Sequence, residues 1–177
     1  MSVLTFRKIS NDIPGDFSCG NHSIDEKLHE HAYFQQILRQ SYTYQIEVDD
    51  KVVGYYMLQF FPLDLAACPD YVSEIYDTEN VVYYAIKLEI IAIDERLQGN
   101  RLGTLVLQKK ILPDALEFSK KYPIRFIVID ALQERCHWYE SIGFQSISNE
   151  SESQPTVLMF MDLVDQEEIC LYIEGLG

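Results

Sequence analysis

The sequence predicts a single α/β domain, residues 1–177, built on a mixed sheet. Three observations carry that expectation. The chain has 177 residues, the length of one ordinary domain, and nearly half of them are apolar. Strand-like segments come first and are followed by a β-α-β-α-β-β alternation. A long β-branched run over 81–93 and a fully apolar one over 124–130 read as strands, the first of them central.

The elements follow from local chemistry. Val3–Ile9 alternates as a short strand, and Asn11–Gly20 is a loop marked by Pro14 and Gly15. Ser23, with Glu26 three residues on, predicts a capping box and a helix to about Gln40, with Ile24, Leu28, Ala32 and Gln35 on one face. Tyr42–Val48 and Lys51–Phe61 read as a hairpin turning at Asp49–Asp50. Leu63–Asn80 is a longer connection holding Pro69. After the strand ending at Ile93, turn chemistry at Asp94–Asn100 opens a helix from Arg101 that Pro113 bends or splits. Gln133–Ser141 is a short helix closed by Gly143. Phe144–Ile147 and Val157–Leu163 complete the sheet, and Asp165–Glu174 is a last helix.

Composition narrows the function. The four cysteines are widely spaced and form no CxxC pair, so a disulfide framework or a zinc site is not expected, and reduced thiols in the cytoplasm are the simpler reading. No secretory signal is expected at MSVLTFRKIS, and no apolar run reaches the ~18–20 residues that span a bilayer. The net charge of −14 argues against general nucleic-acid binding. It suits a cationic substrate such as an amine; the plain alternative is that it keeps the protein soluble. Seven of the fourteen basic residues nevertheless fall between Arg96 and Arg125, a stretch of net charge +5. Either a local anion site or a solvated helix face accounts for it.

The segment from Leu88 to Lys110 is the most informative. A strand ends at Ile93, and Gln98-Gly99-Asn100-Arg101-Leu102-Gly103-Thr104 opens a helix. Helix N-termini present free N–H groups and the positive end of a dipole. Gly99 permits a tight turn, Gly103 removes a side chain where a ligand would approach, Thr104 offers a hydroxyl, and Arg96 and Arg101 add charge. The pattern suits a pyrophosphate, although a helix start with a close-packed glycine has the same composition. It is neither a Walker A sequence nor a GxGxxG fingerprint.

IAIDERLQGNRLGTLVL resembles motif A of the GNAT acetyltransferase superfamily, [RQ]-x-x-G-x-[GA]. Gln98 and Gly103 match its ends, and Arg101 replaces its middle glycine. Helical angles at 101 would accommodate that arginine; a positive φ would cost roughly 1 kcal/mol or more. VIDALQERCHWYESIGF resembles motif B through Trp138, Tyr139, Gly143 and Phe144. DFSCGNHSIDEKLHEHA is similar to the opening of the branch that includes aminoacyl-tRNA-acetylating toxins, through Phe17, Cys19, Gly20, Ile24, Asp25 and Leu28.

The resemblance implies a mixed, mostly antiparallel central sheet, flanked by helices and splayed at a cleft for acetyl-CoA, with no metal. Ile91 and Ile93 would pair with pantetheine, the amide of Ile91 or Ala92 would polarise the thioester, and N–H groups from Gln98 through Thr104 would hold the pyrophosphate, with Arg96 and Arg101 adding charge. Tyr139 would protonate the departing thiolate. Glu89, on the strand face of Ile91 and Ile93, is a candidate base or an ion-pair partner of Lys87; a water chain is the other route. His29, His31 and His137 read as surface residues. Among acceptors, a small amine, a polyamine or a protein amino group ranks above aminoacyl-tRNA, because spare positive charge is scarce. Nucleic acid is thus not the expected partner, though tRNA is not excluded. A non-catalytic acyl-CoA-binding module is the reading from another class. Homodimers are common in the family, and the segment from Val157 could supply an interface.

Overall fold

The structure is a computed structural model and describes residues 3–63, 82–147, 155–165 and 174–175. The connection expected after Leu63 and the helix expected over Asp165–Glu174 lie, apart from their ends, outside the described residues. Seven strands form a mixed sheet in the order β1-β2-β3-β4-β5-β7-β6. The chain divides into two compact units, residues 1–60 with 88–111 and residues 61–87 with 112–177.

In the first unit, β1 (Leu4–Lys8) pairs antiparallel with β2 (Tyr42–Val48), Leu4 opposite Val48. β2 pairs antiparallel with β3 (Lys51–Leu63). The turn between them falls at Asp49 and Asp50, whose φ values are +49° and +62°. Two left-handed residues match the twist of a two-residue hairpin, and aspartate tolerates that conformation better than most residues.

The helix expected from Ser23 to Gln40 forms differently. Asn21 caps it, its side-chain oxygen accepting from the Ile24 N–H at 3.3 Å, so Ser23 lies within the first turn. The backbone leaves helical angles at His31, which separates α1 (His22–Glu30) from α2 (Ala32–Ile37). α2 closes at Arg39, φ +58°, where the Gln40 N–H donates to the Gln35 carbonyl and the Arg39 N–H to that of Gln36. That is a Schellman closure without glycine. Leu28 and Ala32 are buried with Ile9, Ile13, Phe17, Tyr55, Met57, Ile90 and Ala92, so the predicted apolar face does build the core.

In the second unit, the first half of β4 (Tyr83–Ile93) runs parallel to β5 (Ile124–Leu132), from Tyr84 opposite Ile124 to Lys87 opposite Val128. β5 pairs antiparallel with β7 (Thr156–Asp162), and the short β6 (Gln145–Ser146) closes on β7. Leu63, Ala85, Phe126, Val128, Ile147 and Phe160 form the core of this unit.

The helical stretch after the glycine turn is not split at Pro113. α3 (Leu102–Val106) passes through one π turn, Leu107–Ile111, into α4 (Leu112–Ser119). Proline has no N–H and its ring crowds the carbonyl four residues back; a widened turn just before it accommodates both. A 3₁₀ turn at Gln133–Arg135 then leads into α5 (Cys136–Glu140). Gly143, φ +112°, ends that segment as expected, its N–H donating to the Glu140 carbonyl at 3.0 Å.

Candidate functional site

In β4, residues 88, 90 and 92 are buried while 89, 91 and 93 are half-buried. Glu89, Ile91 and Ile93 therefore share the less buried face, as a two-residue period requires. Ala92 faces the core, where Gly54 of β3 lies against it. A Cβ on Gly54 would come 2.4 Å from the Ala92 carbonyl oxygen and 3.2 Å from Ile93 Cα. This close approach escaped the sequence reading; an isolated glycine inside the β3 pattern was the available signal.

Asp94 follows. It is 4% exposed and accepts three hydrogen bonds from Arg96: the backbone N–H at 2.9 Å, Nε at 2.8 Å and an Nη at 2.5 Å. These bonds, the side-chain ones foremost, outweigh burial and hold the Asp94 carboxyl below the usual range. The rest of the Arg96 side chain is exposed.

Gln98 is exposed, but its side chain is bonded to backbone. Its side-chain amide donates to the Cys19 carbonyl at 2.7 Å and to the Ile93 carbonyl at 3.0 Å. Its backbone N–H points at the Glu95 carbonyl, 3.4 Å away. Gly99 then adopts φ +83° and Arg101 φ +57°, so the arginine takes the left-handed conformation rather than helical angles. Arg101 stands where α3 begins, and its carbonyl accepts the Leu105 N–H. Holding a non-glycine residue there costs roughly 1 kcal/mol. Arg101 is exposed and, among the described residues, in no ion pair. A Cβ on Gly99 would meet nothing within 4 Å, and one on Gly103 only Ile93 Cγ1 at 3.8 Å. The turn thus leaves open space beside Gly99 and near Gly103, at a helix start.

The cationic stretch proves less uniform than its sequence. Arg125 pairs with Asp162 at 2.9 Å, Lys120 with Glu117 at 3.1 Å, and Lys110 lies over the Phe6 ring. Arg101, Lys109 and Lys121 are exposed.

Glu89 has partners on α1 and β3. Its Oε1 meets Lys27 of α1 and its Oε2 accepts from Gln59 Nε2 at 2.8 Å, while Lys87 pairs with Asp130 at 2.5 Å. His29 is not a free surface residue either; its ring nitrogens lie 3.3 and 2.9 Å from the carbonyls of Ile13 and Phe17.

Tyr139 belongs to the second unit and is 6% exposed. It packs against Trp138, centroids 4.4 Å apart, and edge-on to Phe144 at 5.7 Å. Burial pushes its phenol well above the ordinary tyrosine range, a nearby Arg135 opposing only in part. The hydroxyl therefore stays protonated throughout the neutral range. Among the described residues no group of His, Cys, Asp and Glu could hold a metal ion, and no helix is long and apolar enough to cross a membrane.

No family profile matches the chain, and no curated protein matches it in sequence. Solved structures do. A bacterial toxin superposes with a TM-score of 0.77 at 14% identity, covering 98% of this chain and 97% of its own. AtaT complexed with acetyl-methionyl-tRNAfMet gives 0.72 at 21% identity, covering 97% and 99%. A tyrosine-to-phenylalanine mutant of the AtaT toxin, bound to acetyl-CoA and the C-terminus of the antitoxin AtaR, gives 0.71 at 20% identity, covering 96% and 98%. Nearly the whole length superposes in each case while the sequences have diverged; the chain has the fold of these toxins.

Proposed function

We propose that the chain is an acetyl-CoA-dependent N-acetyltransferase whose acceptor is the α-amino group of an aminoacyl-tRNA. The observation that carries acetyl transfer is the turn Gly99–Gly103, with left-handed residues at 99 and 101 and exposed Arg101 beside a helix start. Its backbone suits a pyrophosphate. Acetyl-CoA supplies the activated acyl group. The free amine attacks the acetyl carbonyl carbon, the carbon–sulfur bond breaks, and Tyr139 gives its proton to the thiolate and regains one from water. Both Glu89 oxygens are already engaged, so the ammonium proton passes to water. Arg96 and Gln98, expected as phosphate ligands, act by shaping the turn.

The acceptor is supported by AtaT, a fold neighbour solved with acetyl-methionyl-tRNAfMet, and by the opening motif at Phe17–Leu28. A small amine or polyamine is the second reading, favoured by the net charge of −14.

The test is acetyl transfer from labelled acetyl-CoA to a panel of charged tRNAs and of polyamines. Label on aminoacyl-tRNA, released by alkaline deacylation, is the expected result. Label on polyamines alone establishes the second reading. Acetyl-CoA binding with no CoA release leaves a binding module, and no binding ends the proposal.

Arg101→Gly is expected to raise the Kd for acetyl-CoA roughly tenfold, the scale of one charged hydrogen bond, without lowering Tm. Calorimetric titration and thermal melting check both. An unchanged Kd would show that only the backbone of the turn matters.

A further inference from the structure

The opening motif and the glycine turn are far apart in sequence and bonded in the structure. The Ser18 carbonyl accepts the Glu95 N–H at 2.9 Å, and the Cys19 carbonyl accepts the Gln98 side-chain amide at 2.7 Å. These two carbonyls belong to a loop that Asp25 holds. Asp25 Oδ2 accepts from Ser18 Oγ at 2.8 Å and Oδ1 from the Cys19 N–H at 2.9 Å, while Ser18 Oγ accepts in turn from the Gly20 N–H at 3.1 Å. Gly20 has φ +80°, a conformation that glycine adopts without strain. Burial raises the Cys19 thiol to about 11, so it stays protonated. It is the backbone of Cys19 that meets the turn.

We infer that Asp25 is a positioning residue for acetyl-CoA: it fixes the Ser18–Gly20 loop, whose carbonyls hold Glu95 and Gln98 and so set the turn that receives the pyrophosphate. The chain of bonds is continuous from Asp25 through Cys19 to Gln98, and from Gln98 to Ile93 at the end of β4. Two carbonyls, 79 and 5 residues from Gln98, share one amide group, and that amide pins the turn to its strand. The opening motif thereby serves the cofactor end of the site. This inference rests on the acetyltransferase reading.

A double-mutant cycle on acetyl-CoA affinity tests it without any acceptor amine. Asp25→Ala and Gln98→Leu are each expected to weaken binding about tenfold, the scale of one or two lost hydrogen bonds. The double variant is expected to weaken it by about the same tenfold, because both changes break one chain of contacts. Asp25→Asn keeps an acceptor for the Cys19 N–H and is expected to restore most of the affinity. Ser18→Ala, a milder change, weakens binding in the same direction and serves if Asp25→Ala does not fold. A hundredfold loss in the double variant, or single variants that bind as the wild type does, would overturn the inference while leaving the acetyltransferase reading intact. A wild-type protein that does not bind acetyl-CoA would overturn both.

Discussion

Tyr139→Phe is expected to lower kcat for CoA release by roughly 10²–10⁴-fold, the usual contribution of a positioned general acid. Only the hydroxyl is removed, and the ring keeps its packing against Trp138 and Phe144. The melting temperature and the Kd for acetyl-CoA are therefore expected to stay as in the wild type. Steady-state thiol release, thermal melting and calorimetry separate the three quantities. The pH profile adds a sign. A general acid works in its protonated form, and burial moves the loss of that form to higher pH. No alkaline fall in kcat is expected near pH 10, where an ordinary tyrosine ionises. Wild-type turnover that survives the substitution would assign the proton to another donor.

Gly54→Ala is expected to destabilise the fold by about 3 kcal/mol. The added methyl would meet a backbone carbonyl, that of Ala92, at 2.4 Å, and backbone cannot rotate away as a side-chain end can. One strand must shift. For a chain of this length each kcal/mol moves Tm by about 2–4 °C, so a fall of roughly 6–12 °C is expected in calorimetry. The same shift displaces Ala92 and Ile93, the strand end proposed to face the thioester, so acetyl-CoA affinity should fall with it. Gly15→Ala is the control. A Cβ there would meet nothing within 4 Å, and its Tm should stay within a degree or two. Equal melting of the two variants would show that the strands at Gly54 have room.

Both sites show what a sequence can and cannot disclose. The hairpin at Asp49–Asp50, the alternation of Glu89, Ile91 and Ile93, and the closing glycine at 143 were legible because each depends on residues within a few positions. Tyr139 and the glycine turn were legible as motifs, through resemblance rather than through geometry. The start of α1 was legible only approximately: Asn21 and Ser23 are both good caps two residues apart, and the choice fell to Asn21.

The sequence by itself determined the class of the sheet and the order of its elements, and it singled out the segment proposed to receive phosphate, since period, turn chemistry and local charge are written residue by residue. Tertiary structure decided the partners. Glu89 meets Lys27, 62 residues away; Gln98 meets Cys19 across 79 residues; Gly54 meets Ala92. It also decided the backbone angle at Arg101, which local sequence left open between helical and left-handed values. The physical reason is common to all four. Strand pairing and helix docking bring distant residues within hydrogen-bonding reach, and those contacts, each comparable to or larger than a local preference, settle what the neighbours in sequence leave undecided.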